Sequence, residues 1–200
     1  MAIQLIPKKR DEICDALRAE VISGEWESDK PVRENTLTKR FGVSRGPIRD
    51  ALLQLTREGA LVYRKNKGVR VGSPPDKEER DLLCRMRREL EVYCIKKAIS
   101  QWNQDDDRKI TLLLVDLKTA CDNLDLPKVA EADLALHRHW VSRASKEMEA
   151  VWLSISVRMR MAYTRLSEYQ EIYQEHESIV EAILRRDFPT TESRLEKNII

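Results

Sequence analysis

The sequence predicts a mainly α-helical protein in two parts: three helices and a β-hairpin come first, and an antiparallel all-α bundle follows. Three observations lead to this fold class. Apolar residues recur at helical spacing through most of the 200 residues. Strand-like runs are confined to residues 60–71. Pro74 and Pro75 then interrupt the pattern, because proline cannot continue a helix or a central strand.

The elements of the first part follow from local patterns. The predicted helices span about 8–23, 35–41 and 45–57, and the predicted strands span 60–63 and 69–71. Gly24, Gly42 and Gly59 follow the three helices, where a helix stop is expected. We expect the side-chain oxygen of Ser44 to cap the third helix. The basic turn at residues 64–68 joins the strands into a hairpin.

Every segment after the prolines is predicted to be helical. The expected helices span about 78–101, 107–122, 127–144, 147–168, 171–186 and 190–200. Helices of this length joined by short connections pack as a bundle. The predicted domains are therefore 1–73 for the hairpin-bearing domain, 74–77 for a linker and 78–200 for the helical domain.

The composition excludes a membrane protein and argues against export. The chain is 42% hydrophobic, but no stretch approaches the roughly 20 apolar residues that a bilayer span needs. Residues 1–10 lack the apolar segment of a signal peptide, so we expect a cytoplasmic protein. The four cysteines show no paired spacing, and we expect buried thiols rather than a disulfide or zinc set.

Charge divides unevenly along the chain, although the formal net charge is only +2. Residues 1–75 hold 15 Lys and Arg against 10 Asp and Glu, whereas residues 76–200 hold 21 against 24. Because the basic excess is confined to one half, we expect that half alone to bind a polyanion. An ordinary solvated face is the alternative explanation.

Three helices followed by a basic hairpin suit DNA recognition. A helix fits the major groove of DNA, with its N-terminal residues leading. Arg45 and Arg49 lie four residues apart and share one helix face, opposite the apolar stripe. Arginine can make a bidentate contact to guanine, and Gly46 leaves room for the phosphate backbone. The candidate DNA-binding residues are Arg33, Ser44, Arg45, Gly46, Pro47, Arg49, Lys65, Lys67 and Gly68.

An extended motif makes the comparison with a known family specific. It comprises Val32-Arg33-Glu34, Phe41-Gly42-Val43-Ser44-Arg45-Gly46-Pro47-Ile48-Arg49-Asp50-Ala51-Leu52, Leu55, Glu58-Gly59 and Gly68-Val69-Arg70-Val71. The motif resembles the GntR family of bacterial regulators. This resemblance implies a winged helix-turn-helix domain whose operator contacts include Arg33, Arg45, Arg49 and Gly68. Two departures are that residues 28–31 replace a common Pro-Gly, and that Val32-Arg33 stands where a Leu is usual.

Polar residues interrupt the apolar stripes of the second half. Asp133 and His137 lie one turn apart within one stripe, His176 lies within another, and Asn198 shares an apolar face near the end. A buried carboxylate costs several kcal/mol unless a cation or hydrogen-bond donors satisfy it. The residues alone leave two explanations open. One is a metal site, and the other is a local Asp–His pair beside a hydrogen-bonded core histidine.

Three further motifs resemble the FCD effector domain of the FadR-type GntR branch. They are Arg87 to Glu91, Asp133-Leu134-Ala135-Leu136-His137, and Glu175 to Ile183 followed by Asp187. The resemblance implies a divalent metal (zinc, nickel or manganese-like) bound by an Asp and three His, which map to Asp133, His137, His176 and Asn198. Asn198 offers a carbonyl oxygen in place of the fourth imidazole nitrogen, which weakens the site or favours oxygen-preferring metals. The resemblance also implies a small carboxylate effector, with Arg87, Arg158 and Arg160 as candidate partners.

The expected function is sequence-specific DNA binding controlled by a small metabolite. We expect a homodimer, because two-fold operators match two-fold proteins. We do not expect an enzyme. The enzymatic alternative is a metal-dependent hydrolase using Asp133, His137 and His176, but the sequence lacks a general base in an HExxH-type motif. A DNA-binding architectural protein without an effector is a third alternative, and it leaves the inward-facing polar residues unexplained.

Overall fold

The N-terminal half contains the predicted three helices and hairpin. A computed structural model describes residues 5–161 and 169–199, with side chains from residue 10 onward. The first elements are α1 (Leu5–Ile22), α2 (Glu34–Phe41), α3 (Arg45–Arg57), β1 (Leu61–Arg64) and β2 (Gly68–Val71). The two strands pair antiparallel, with Leu61 opposite Val71. This arrangement confirms the predicted fold class of the first half.

The second half is helical throughout its described residues. Its elements are α4 (Lys77–Ile99), α5 (Gln104–Asp122), α6 (Leu126–Ala144), α7 (Lys146–Arg160), α8 (Tyr169–Leu184) and α9 (Phe188–Asn198). They pack pairwise as α5 on α6, α4 on α6 and α7, and α8 on α5 and α9. The predicted all-α bundle is confirmed. None of the described helices combines the length and apolar character needed to cross a membrane.

Apart from the end of α7, the helix boundaries lie within three residues of their predicted positions. Helix α5 begins three residues earlier than expected, because Asn103 and Asp106 form a reciprocal capping box at its N-terminus. Helix α7 ends at Arg160, whereas the predicted helix continues to residue 168. Residues 162–168 of that prediction lie outside the described part of the chain.

Helix α1 joins the two halves. It packs against α3 on one side and against α6 and α7 on the other. Arg18 forms a buried ion pair with Glu58 at the end of α3, with Nε 2.7 Å from Oε2. Asp15, one turn earlier, pairs with Arg18 and lies 3.9 Å from Arg138 of α6. A charged network therefore runs from the end of α3 through α1 to the bundle.

The cysteines are buried and unpaired, as predicted. All four thiols, Cys14, Cys84, Cys94 and Cys121, are free. Burial raises the pKa of Cys14 and of Cys94 to about 11. Both thiols are therefore protonated at neutral pH and poorly nucleophilic.

Candidate functional site

The N-terminus of α3 presents a polar, exposed surface. Ser44, Arg45 and Gly46 are exposed, while Ile48 on the opposite side of the helix is fully buried. The prediction that Ser44 caps α3 is wrong, because its backbone is extended at the N-cap but its side chain makes no capping hydrogen bond. The hydroxyl does not bond back to the helix end. The first N–H groups of α3 therefore lack a side-chain acceptor from this residue.

The remaining candidate DNA contacts lie around the start of α2 and the hairpin tip. Arg49 is 61% exposed and its Nε lies 2.9 Å from Glu34, which places α3 beside the start of α2. The Val32 N–H donates to the Val69 carbonyl at 2.9 Å, which places the exposed Arg33 beside the hairpin.

The hairpin tip carries exposed basic residues on a tight turn. Lys65 and Lys67 at this tip are exposed. Pro47, another candidate residue, lies in α3 and is half-buried. Gly68 has φ 72, a left-handed conformation that glycine adopts without a steric penalty. The glycine at this position is therefore explained by the turn itself.

Three buried side chains converge inside the bundle. Asp133 and His137 come from α6 and His176 comes from α8, and their ligand atoms all lie within 4.8 Å of one another. Oδ1 of Asp133 is 2.7 Å from Nε2 of His176 and 3.8 Å from Nε2 of His137. The structure thus brings together the three side chains that the sequence assigns to a metal.

Hydrogen bonds assign the protons on the two histidine rings. His137 Nδ1 lies 2.6 Å from Oε2 of Glu91, and His176 Nδ1 lies 2.7 Å from the Ile172 carbonyl oxygen. Because both partners accept hydrogen bonds, each Nδ1 is the protonated nitrogen, and Nε2 of each neutral ring carries a lone pair. The two Nε2 atoms face each other at 3.0 Å, next to the Asp133 carboxylate. Such an arrangement is repulsive unless a cation or proton lies between these atoms.

Burial sets the protonation states of the site. It lowers the pKa of His137 and of His176 to about 4, so both rings are neutral at neutral pH. Burial alone would raise the pKa of Glu91, but the charge of Arg87 and the interactions with His137 outweigh it and hold that pKa well below its usual range. Glu91 is therefore an ionised hydrogen-bond acceptor.

Two of the candidate effector arginines border this cluster. Arg160 is buried, and its Nη1 pairs with Oδ2 of Asp133. Arg87 is also buried, and its Nε donates to Oε1 of Glu91 at 2.7 Å. Nη2 of Arg87 has no hydrogen-bond partner within the described chain. Arg87 thus carries a buried donor available to an anionic ligand.

The third candidate, Arg158, lies elsewhere. Its Nη1 donates to the Ser73 carbonyl at 2.5 Å, and its Nη2 lies 2.8 Å from Glu79. Two residues correspond to about 200° of rotation around a helix, so Arg158 and Arg160 face different directions. Arg158 is therefore a residue of the junction between the halves rather than of the cluster.

Asn198, the expected fourth ligand, has a different partner. Its Nδ2 donates to Oε2 of Glu175 at 2.8 Å, and the side chain is half-buried. The amide is therefore positioned by Glu175.

Two further buried polar residues, Glu91 of the Arg87-to-Glu91 motif and Ser156 of α7, are assigned no role by the sequence. Glu91 is fully buried and accepts hydrogen bonds from His137, from Trp140 (3.2 Å) and from Trp152 (2.6 Å). A glutamate within an apolar helical stripe is the signal that could have identified it. Ser156 is fully buried, and its Oγ has no partner in the described residues. Serine is too common in helices to provide such a signal.

Comparisons with known proteins identify both halves. Residues 9–71 match the family described as bacterial regulatory proteins, gntR family, and residues 82–197 match the FCD domain. The HTH-type transcriptional repressor GlaR of Escherichia coli (strain K12) is 25% identical over 200 residues, covering 92% of this chain and 89% of the relative. The gluconate operon transcriptional repressor of Bacillus subtilis (strain 168) is 23% identical over 184 residues, covering 86% and 74%.

Solved structures share the fold. E. coli McbR/YncC superposes with a TM-score of 0.77 at 19% identity, covering 96% of this chain and 93% of that one. A GntR transcriptional regulator from Rhodococcus sp. RHA1 gives 0.70 at 17% identity, covering 96% and 94%. Both matches extend over the hairpin-bearing half and the helical half together.

The comparisons decide between the functional alternatives. Both families and both relatives are transcription regulators rather than enzymes, which removes the hydrolase alternative. The exposed basic start of α3 agrees with the gntR match, and the all-α bundle agrees with the FCD match. The chain belongs to the GntR family of bacterial regulators that carry an FCD domain, and it is a DNA-binding transcription regulator.

Proposed function

We propose that this regulator binds a divalent metal through Asp133, His137 and His176, and that a small carboxylate effector beside the metal controls operator binding. The observation that carries the proposal is the convergence of two histidine lone pairs and a carboxylate oxygen in a buried site. A cation between them removes the repulsion. The bonds from each Nδ1 to Glu91 and to Ile172 are the outer contacts that orient metal-bound histidines.

The donor set fits the metals expected from the sequence. Two imidazole nitrogens and one carboxylate oxygen suit zinc, nickel, manganese or iron. Three protein ligands leave coordination positions for water or for an anionic ligand. When bound, the metal supplies a positive anchor for the effector's oxygens. Asn198 is assigned to Glu175 and not to the ligand set.

Unpartnered buried donors on α4 and α7, the helices that carry Arg87 and Arg160, support a carboxylate as the effector. Nη2 of Arg87 and Oγ of Ser156 are buried without hydrogen-bond partners among the residues described. An unsatisfied buried donor costs about 1–3 kcal/mol, which a bound acceptor recovers. A guanidinium binds a carboxylate with particularly favourable geometry. Arg160 is the second arginine within reach of such a ligand.

For DNA recognition, we propose that the start of α3 enters the major groove. Arg45 and Arg49 then contact base edges, and Ser44, Gly46 and Pro47 lie against the phosphate backbone. The flanking contacts are proposed for the α2 start and the hairpin tip, at Arg33, Lys65, Lys67 and Gly68.

We also propose that two copies associate through the outer face of α4 and α7. Met86, Tyr93 and Val151 line one shallow apolar recess there and are 44%, 56% and 49% exposed. Arg85 and Glu89 border the recess one helical turn apart. In a two-fold contact, Arg85 of each copy can face Glu89 of the partner subunit, so the face is self-complementary in charge.

Metal analysis combined with thermal unfolding tests the proposed site. Protein purified without chelator should contain close to one divalent ion per chain, and chelation should lower the Tm. Zn²⁺, Ni²⁺ or Mn²⁺ should restore the Tm, and small carboxylic acids should raise it further in the metal-bound state.

His176→Ala should abolish the metal response. The matched control is His139→Ala, because His139 lies on α6 but packs against Trp102 instead of the cluster. Protein without metal, and without a Tm response to any of these ions or acids, would contradict the proposal.

A further inference from the structure

The last turn of α7 connects the buried cluster to the junction between the halves. Arg160 extends inward to Asp133, and Arg158 extends outward to Ser73. Ser73 lies in residues 72–76, which connect β2 to α4 and are called the linker below. The two arginine side chains belong to the last turn of α7. A displacement of that turn therefore moves both of them together.

The outward side chains of this turn pack closely against the glycines that flank the hairpin. The Arg158 stem covers Gly59, where a Cβ would lie 2.7 Å from Arg158 Cδ. A Cβ at Gly72 would lie 2.9 Å from the Gly59 carbonyl oxygen and 3.3 Å from the methyl carbon of Met161. Arg158 and Met161 therefore pack against the residues just before β1 and just after β2. A shift of this turn changes that packing.

Helix α4 holds the same turn from its other side. Arg80 donates to the carbonyl oxygens of Met159 and Met161, the latter at 3.0 Å. The Gly72 N–H bonds to the Ala60 carbonyl at 2.9 Å, next to the start of β1. The turn thus contacts α4 and the linker at once.

The inward side places a guanidinium on a metal ligand. The side chains of Arg160 and Asp133 are 6% and 3% exposed, so their charges are poorly screened. Asp133 is the carboxylate whose other oxygen faces His176 at 2.7 Å. A divalent ion bound to that carboxylate would repel a guanidinium at the same group, because two cations would then compete for one buried anion.

We propose that Arg160 is a built-in cation that neutralises Asp133 in the metal-free protein, and that metal binding displaces it and shifts the α7 turn that holds the linker. The displaced guanidinium then pairs with a carboxylate effector. The inference rests on the proposed metal site, and it assigns to Arg160 the coupling of that site to the DNA-binding half.

The test compares Arg160→Met with the native chain, using Zn²⁺ alone as the probe. Zinc affinity is measured by competition with a chromophoric chelator, and linker movement by hydrogen exchange of residues 59–73. We expect Arg160→Met to bind zinc at least about 10-fold more tightly, since no internal cation opposes the ion. In the native chain zinc should change linker exchange at least about threefold. In Arg160→Met it should change little.

Two variants separate the steps. Arg158→Met should keep native zinc affinity but lose the linker response, whereas Arg185→Met, an exposed arginine on the surface, should change neither. Circular dichroism confirms folding. If Arg160→Met does not fold, Arg160→Gln takes its place, because glutamine keeps a donor for Asp133 without the charge. Its zinc affinity and linker exchange are then compared with those of the native chain in the same way.

The outcomes distinguish the inference from the proposed function. Zinc binding by the native chain with unchanged affinity in Arg160→Met would overturn the inference and leave the metal site intact. Zinc binding by Arg160→Met alone would support Arg160 as the internal cation and refute a native metal site. Failure of both proteins to bind zinc would refute both ideas. An unchanged linker response in Arg158→Met would overturn the proposed transmission through this turn.

Discussion

Glu91 shows how a single buried carboxylate can organise a site. It is fully buried, yet it accepts hydrogen bonds from Arg87, His137, Trp140 and Trp152. These contacts satisfy the charge, and the bond to His137 leaves Nε2 of that ring unprotonated and directed at the cluster. Glu91 is therefore a positioning residue for His137, a proposed metal ligand.

Replacing this carboxylate should weaken metal binding. In Glu91→Gln a neutral amide replaces the charged acceptor that fixes the tautomer of His137. We therefore expect zinc affinity to fall roughly 10–100-fold, the usual effect of removing a contact that orients a metal ligand. Competition with a chromophoric chelator measures the change. Glu78→Gln, at the exposed start of α4, is the control. Equal zinc affinity in Glu91→Gln and the control would contradict the assigned role.

Arg45 is the residue on which DNA specificity is expected to depend most. It is exposed at the leading end of α3, and no carboxylate of the described residues pairs with it as Glu34 pairs with Arg49. Arg45→Ala should weaken operator binding at least about 10-fold, the loss of one bidentate base contact. Gel shifts on an operator selected from random duplexes measure it. Arg57→Ala, the same change at the exposed far end of α3, should have little effect, and equal losses in both variants would argue against base contact.

At the scale of elements, α6 illustrates how far sequence patterns lead. The four-residue spacing of Asp133 and His137 predicts a shared face, and both are indeed buried on α6. The spacing says nothing about which helix packs opposite. The close approach of His176 depends on α8 packing against α5, which in turn packs against α6. Arg160 reaches the cluster only because α7 ends there. Distances across the bundle are set by packing between elements far apart in sequence.

The face formed by α4 and α7 should determine the oligomeric state. Tyr93→Glu introduces a charge into the apolar recess, which costs association free energy if two copies bury that face. We expect the native chain to sediment as a dimer and Tyr93→Glu as a monomer at micromolar concentration. Leu112→Glu is the control, because Leu112 is similarly exposed on α5. A dimer in Tyr93→Glu would place the interface elsewhere.

At the scale of the whole molecule, the stability of the fold and the proposed metal binding involve the same buried groups. The neutral rings of His137 and His176 lie within the bundle, and α1 links the bundle to α3 through Arg18 and Glu58. Protonating the cluster would therefore disturb a core that also supports the DNA-binding half.

Mild acid should destabilise the metal-free protein. The pKa of each of the two histidines falls from 6.5 to about 4 on folding, so the unfolded chain takes up protons first. The stability conferred by the neutral rings is complete above pH 6.5 and is lost as pH falls from 6.5 to about 4. We expect urea unfolding of chelated protein to lose on the order of 6 kcal/mol across this range, about 3 kcal/mol from each histidine. His176→Gln should reduce this dependence, and a urea midpoint unaffected by pH would refute the prediction.

The sequence by itself determined the two-part organisation, the family and the identity of the candidate ligands. These follow from local periodicity, helix stops such as Gly42 and motif residues adjacent along the chain, all of which are short-range properties. Only the tertiary structure decided that Arg158 serves the junction while Arg160 reaches Asp133, that Glu91 orients His137, and that Asn198 bonds to Glu175. Burial and the approach of distant helices determine these contacts, because partners far apart in sequence become neighbours only when the bundle packs.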